Sequence, residues 1–296
     1  MRAIVLGAAA GGAFPQWNSN GEACLRARAG DPAARPRTQA SIAVAGEGPF
    51  WTIVNASPDL RQQIELTPEL HPRTGLRSTP IAAIVLTSGE VDCVAGLLHV
   101  RERQPFDLFA TPGVHGLLDA NPIFEVLDRA LVRRCAIRID DEVTLPGGVT
   151  LRLFPVAGKV PLYLESRMET AEGDTVGVCL THNGATLFYI PGCAAMTRSL
   201  VERLRGADTV LFDGTLWRDD EMIRKGIGAK TGRRMGHMSL SGVDGTLTAF
   251  ADLGVRRKIL LHINNSNPVL LDCSPERSEV VRAGWQVAFD GMRISF

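Results

Sequence analysis

Short apolar, β-branched runs recur along the chain at residues 3–6, 40–44, 51–54, 81–86, 108–110, 150–154, 176–181, 186–190, 209–212 and 258–262. Most are bounded by Gly, Pro, Asn or Asp, the pattern of strands that end in tight turns. The runs 176–181 and 186–190 flank His182-Asn183-Gly184, which predicts a hairpin with Asn-Gly turn chemistry. Helical periodicity is clearest over 112–120, 121–132, 197–206, 240–253 and 275–283. Thr197 is a natural cap for the third of these, and Ser274-Pro275 starts the last one well. Strand clusters come first and strand–helix units follow, with no fixed repeat and no low-complexity linker. Residues 32–37 and 168–174 read as surface loops. The pattern predicts a mixed α/β layered sandwich, one domain over residues 1–296.

Composition narrows the function classes. With 45% hydrophobic residues, a chain of 296 residues has ample material for a core. The formal net charge is zero, which gives no electrostatic case for nucleic acid or a membrane surface. No apolar run reaches the roughly 20 residues of a membrane span. The run at 3–6 is short for a secretion signal and reads as a buried first strand ending in a glycine loop. The six cysteines form no CxxC pair, so the expected setting is a reducing cytoplasm.

Chemistry concentrates at strand ends. In residues 86–98, LTSGEVDCVAGLL, a strand runs into a loop presenting Glu90, Asp92 and Cys93. Three metal-binding side chains within four positions suit a metal site, although Asp92 also suits a simple helix cap. Asp213 ends the run at 209–212 and leads into Gly214, where either a site residue or a turn-forming Asp-Gly fits. His237 precedes Ser239 and Ser241, which suits capping. His262 ends another apolar run and opens onto Asn264, Asn265 and Asn267, an amide-rich loop or an ordinary Asx turn. Residues 7–12, GAAAGG, lack the spacing of a phosphate loop and read as a tight turn. The stretch 223–234, IRKGIGAKTGRR, carries five basic residues among glycines. It reads as a solvated loop or as a lid for an acidic ligand, and without aromatics it is a poor single-strand binder.

Several blocks carry a family resemblance in the right order. They are GAAAGGAFPQWN at 7–18, RPRTQASIAV at 35–44, NASPDLRQQI at 55–64, LTSGEVDCVAGLLHVRE at 86–102, GKVPLYLE at 158–165, YIPGCA at 189–194, LFDGT at 211–215, KTGRRMGHMSLSG at 230–242 and HINNSNPVL at 262–270. Over nearly its whole length the chain resembles the pyrroloquinoline quinone (PQQ) biosynthesis protein B family, a branch of the metallo-β-lactamase superfamily. The resemblance implies an αββα sandwich with a site at one edge between two mixed sheets. The superfamily motif His-x-His-x-Asp-His falls on Ser88, Glu90, Asp92 and Cys93. The B family keeps an acidic residue, Asp and His; Glu90 and Asp92 fit, and Cys93 replaces the His. His262 matches the last metal-binding His. Asp213 and His237 look like the acid/His pair of related hydrolases, and Cys193 stands where those have a bridging Asp. Family members commonly show Trp-Asn-Cys-x-Cys-x-x-Cys near the N-terminus, which resembles a structural zinc site. Here only Cys24 of that set remains, so no structural zinc is expected.

The resemblance implies an early oxidative step in cofactor synthesis, similar to an iron-dependent hydroxylase acting on the tyrosine of a Glu-Tyr unit. It would use Fe(II), with zinc as the alternative metal if Cys93 ligates, and O₂ as co-substrate. Carriage of the cofactor or its precursor is the competing implication. A two-metal hydrolase is disfavoured, because His is missing at 88, 90 and 93. Expected metal ligands are Glu90, Asp92, Cys93 and His262, with Asp213 and His237 catalytic. Lys159, Lys230, Arg233, Arg234, Asn264 and Asn265 are the expected contacts to an anionic dipeptide or small-molecule precursor. A homodimer is compatible with the sequence; a nucleic-acid or membrane partner is not expected.

Overall fold

Alternation decides which way each strand faces. In β1 (Arg2–Gly7), Ala3 and Val5 join one apolar cluster while Ile4 and Leu6 join another. Side chains two apart share a face, so a strand buried on both sides needs apolar residues throughout, as the short runs supply. The computed structural model describes residues 1–296.

Two seven-stranded sheets result. The first contains β1, β2 (Ser41–Ala45), β3 (Trp51–Val54), β4 (Ile81–Val85), β5 (Phe106–Ala110), β6 (Val132–Ala136) and β14 (Arg293–Ser295), in the order β14-β1-β2-β3-β4-β5-β6. The second contains β7 (Glu142–Thr144), β8 (Thr150–Pro155), β9 (Val176–His182), β10 (Ala185–Ile190), β11 (Thr209–Asp213), β12 (Arg257–Leu261) and β13 (Trp285–Val287), in the order β13-β12-β11-β10-β9-β8-β7. Strands β3 to β6 run parallel, as do β10 to β13, and the remaining pairs are antiparallel. The inner faces meet in one core that includes Val5, Ile42, Val85, Leu153, Leu187, Leu211 and Ile259.

Helices cover the outer faces. On the first sheet lie α2 (Leu60–Glu65), α3 (Val91–Val94) and α4 (Pro112–Asp119), through Leu60, Val94, Val114 and Leu118. On the second lie α1 (Glu22–Arg28), α5 (Arg198–Leu204), α7 (Thr246–Ala249) and α8 (Pro275–Arg282), through Ala27, Leu200, Leu204 and Val280. A short α6 (Glu221–Arg224) follows β11. This is the αββα sandwich. No helix is long and apolar enough to cross a membrane.

The expected caps form. Thr197 Oγ1 accepts from Leu200 N at 3.2 Å, and Ser274 Oγ from Arg277 N at 3.0 Å. The β9–β10 hairpin turns through Asn183 (φ 49°) and Gly184 (φ 78°), the left-handed pair its turn requires. Two helix expectations fail. Residues 121–132 make only a 3₁₀ turn, Pro122–Val126, before β6 begins. Over 240–253 only Thr246–Ala249 is α-helical. Gly242 has φ 94°, and a Cβ on Gly245 would lie 2.4 Å from Ser241 O, so the backbone turns sharply before the helix starts.

Candidate metal centre

Parallel strands present their carboxyl ends at one rim, where α/β folds place ligands. β12 delivers His262 there. Its φ of 54° is left-handed, a strained choice for a non-glycine residue that costs about 1–3 kcal/mol and needs support. Both ring nitrogens supply it. Nδ1 lies 2.9 Å from Thr215 Oγ1, and Nε2 lies 3.0 Å from Asp92 Oδ2. Asp92 stands in α3, just past β4, so this contact joins the two sheets.

β11 delivers Asp213. It shares the parity of Leu211, which faces the inner core, and it is fully buried. Oδ1 accepts from Thr215 N at 3.0 Å and from Thr215 Oγ1 at 2.6 Å. Oδ2 accepts from Cys193 N at 2.9 Å and from His237 Nδ1 at 2.8 Å. The His237 and His262 rings stack with centroids 5.1 Å apart.

The Cys93 thiol is buried beside Asp92. Ser88 Oγ donates to it at 3.4 Å, and Sγ lies 3.8 Å from Asp92 Oδ1. Burial, then the Asp92 charge, pushes this thiol well above its ordinary range. Asn55, itself at φ 65°, braces the loop from below through Thr87 N and Oγ1. Burial opposes charge on Asp92, but the hydrogen bond and charge of His262 outweigh it and hold the carboxyl below its usual range. Burial likewise opposes charge on His262, and Asp92, Asp213 and Glu90 together outweigh it and raise the ring's pKa.

Donor atoms of Asp213, His237 and His262 lie within 4.8 Å of one another. The hydroxyl of Thr215 already bonds to all three residues, at 2.6, 3.1 and 2.9 Å. That hydroxyl and Asp213 engage the Nδ1 atoms of both rings, which leaves the Nε2 atoms of His237 and His262 facing outward from the trio. Two ligands each about 2.0–2.2 Å from one ion stand roughly 3.0–3.6 Å apart, so the Asp92–His262 spacing fits, with Cys93 alongside as a further donor.

Other expected residues are engaged elsewhere. Glu90 accepts from Lys159 Nζ at 2.7 Å and from Leu162 N at 3.1 Å. Lys159 also pairs with Glu165 at 3.0 Å, and Glu165 with Lys230. Glu90 thus anchors a chain of alternating charges instead of sharing the Asp92–His262 contact, and both lysines are already partnered. Arg233 pairs with Asp244 at 3.5 Å, while Arg234 is exposed with no ion pair. Asn264 donates to Ser266 Oγ at 2.6 Å and Asn265 to Gln16 Oε1 at 2.5 Å, so both amides brace their own loop and its neighbour. Cys193 turns its Sγ to Ala195 O at 3.2 Å, and burial pushes that thiol up to about 12. Cys24 Sγ lies 3.7 Å from Asn265 Oδ1. The GAAAGG turn walls the site: a side chain at Gly11 would come within 3.7 Å of Asp92 Oδ2.

Sequence reasoning missed Thr215, Asn55 and Glu165. Thr215 alone had a signal, two residues beyond Asp213 and so on its side of an extended backbone.

Comparison with known proteins agrees with the fold. The model of the beta-lactamase superfamily domain matches residues 50–263. A coenzyme PQQ synthesis protein B from Gluconacetobacter diazotrophicus is 63% identical over 99% of this chain and 98% of its own. One from Methylorubrum populi is 50% identical over 99% of each. A crystal structure of zinc-bound PqqB from Methylobacterium extorquens superposes with TM-score 0.97 at 48% identity, covering 100% of both chains. A diphosphatase of the PhnP family, at 21% identity and TM-score 0.70, shares the fold over 100% of this chain and 97% of its own. The chain belongs to the coenzyme PQQ synthesis protein B family, within the beta-lactamase superfamily.

Proposed function

We propose that the chain acts in PQQ synthesis and holds one divalent ion on Asp92 and His262, with Cys93 as third donor. The carrying observation is the 3.0 Å approach of Asp92 Oδ2 to His262 Nε2, from opposite sheets. The relatives' role in coenzyme PQQ synthesis and the zinc in the Methylobacterium extorquens structure support this reading. The proposed reaction is hydroxylation of the tyrosine ring in a Glu-Tyr precursor. Each turnover takes one O₂, two electrons from an external reductant and two protons, and yields the phenolic product and water. When bound, Fe(II) would supply open positions for O₂ and substrate. The chain's own residues do the rest. Asp213 holds the Nδ1 proton of His237, which leaves Nε2 to take up or release a proton at the substrate. Arg234 is free to grip a substrate carboxylate in bidentate fashion. Lys159 and Lys230 are partly neutralised by Glu165 until an anionic substrate competes for them.

A second reading, a zinc-holding carrier of PQQ or its precursor, is favoured by the Cys93 thiol, because thiolate selects softer metals. Oxygen uptake separates the two. Protein loaded anaerobically with Fe(II) and given Glu-Tyr and a reductant should consume O₂ and add 16 mass units to the dipeptide, as one oxygen atom requires. Binding of PQQ without any O₂ uptake would establish the carrier in its place.

A further inference from the structure

Two ammonium groups from different loops share one carboxylate. Lys159 Nζ lies 3.0 Å from Glu165 Oε1, and Lys230 Nζ pairs with Oε2. Lys159 also links the two halves of the metal centre. Its ammonium reaches Glu90 at 2.7 Å, two residues before Asp92. Its stem packs on Gly236, the residue before His237, where a Cβ would meet Lys159 Cγ at 3.4 Å. Glu165 itself lies on a segment with little to hold it. Val160 is buried ahead of that segment, and Gly173 O accepts from Thr111 Oγ1 at 3.1 Å behind it, but no residue from 162 to 172 is buried. Leu162 N donates to Glu90 at 3.1 Å and Tyr163 Oη to Gly89 O at 3.0 Å, both ahead of Glu165. Beyond it, residues 166–172 are all exposed. A segment held by charge pairs at the surface, without packing, opens at low cost.

We infer that Glu165 is a built-in stand-in for a substrate carboxylate, gripped between Lys159 and Lys230 until a carboxylate ligand takes its place, and that residues 162–172 loosen as it leaves. This rests on the anionic precursor proposed above. Charge is conserved in the exchange. Two ammonium groups keep two carboxylates, Glu90 and one from the ligand, so neither lysine is left unpaired. A ligand without a free carboxylate cannot make the exchange and leaves Glu165 where it is. The clamp therefore selects for a carboxylate and couples its binding to release of the segment.

Trypsin reads the segment, because Arg167 is exposed within it. The cut after Arg167 is counted by mass spectrometry against the cut after Arg77, which is exposed on the loop before β4 and serves as the internal reference. Glu165→Gln should speed the Arg167 cut about two- to fivefold with no ligand present, the scale of surface ion pairs. Excess glutarate, at an ionic strength matched with chloride, should speed it as far in the unsubstituted protein and no further in Glu165→Gln. Glu-Tyr should do the same, and Glu-Tyr amidated at both carboxyls should leave the rate unchanged. An unaltered rate in Glu165→Gln would overturn the inference. So would Glu-Tyr bound by calorimetry with the Arg167 cut unchanged, an arm that needs no variant to fold. Loosening by glutarate without any binding of Glu-Tyr would remove the precursor reading and leave the clamp standing.

Discussion

Glu165 stands between Lys159 and Lys230, a carboxylate held by two cations, one of which also pairs with Glu90. A substrate carboxylate would have to compete with it. Glu165→Gln should therefore tighten binding of Glu-Tyr, on the order of tenfold for one charge-assisted hydrogen bond gained. Arg233→Ala combined with Arg234→Ala should weaken it while leaving the fold intact. Calorimetric titration measures both, and equal affinity across all three proteins would remove the lysine and arginine contacts from the account. The side chains at the rim were partly legible. Asp213 and His262 announce themselves as titratable groups at the ends of apolar runs, Asp92 lies in the loop after one, and His237, a capping position by its neighbours, stands out only through the family resemblance; the four do converge. Glu90 read as a candidate ligand, and Lys159 and Lys230 as contacts to an anionic substrate, with nothing to show that they meet. Their mutual pairing depends on residue 165, in a loop whose sequence carries no periodic signal.

Strand and helix ends explain what was readable between those residues. Runs such as 51–54 and 81–86 give strands because both faces are almost wholly buried and every position but Thr52 is apolar. Edge strands lack that signal. β6 reads VRRCA and β14 RIS, with charged residues on the open side. The apolar spacing of Ile123, Phe124, Val126 and Leu127 mimics a helix, yet Ile123 and Val126 are exposed and only Phe124 and Leu127 are buried. Local capping was more reliable than periodicity, because a cap needs only one side chain and one amide. Thr197→Ala should accordingly cost about 1 kcal/mol. Urea unfolding reads this as a lower midpoint at unchanged slope, and an unaltered midpoint would mean that the α5 cap contributes nothing.

Across the sandwich, N- and C-terminal segments close on each other. β1 pairs with β14, and Asp290 accepts from Thr38 N and Oγ1, both at 2.7 Å. Burial raises the Asp290 carboxyl from 3.8 to about 6. The folded chain therefore keeps a proton that the unfolded chain releases. This group's contribution to stability is largest below the lower of those values, falls as pH rises through the window, and is flat above it. Asp290→Asn should become more stable relative to the unsubstituted protein between pH 4.5 and 7, by urea midpoints at the two pH values. A difference that does not change with pH would contradict that placement of the carboxyl.

The central claim is that two sheets bring Asp92 and His262 together to hold an ion. Metal analysis of protein purified without oxygen, repeated on Asp92→Ala and His262→Ala, tests it most directly. The account predicts close to one equivalent of iron or zinc, lost in both variants while the fold survives by circular dichroism. Metal retained in full by both variants, or no uptake by the unsubstituted protein even from excess Fe(II) or Zn(II), would contradict it.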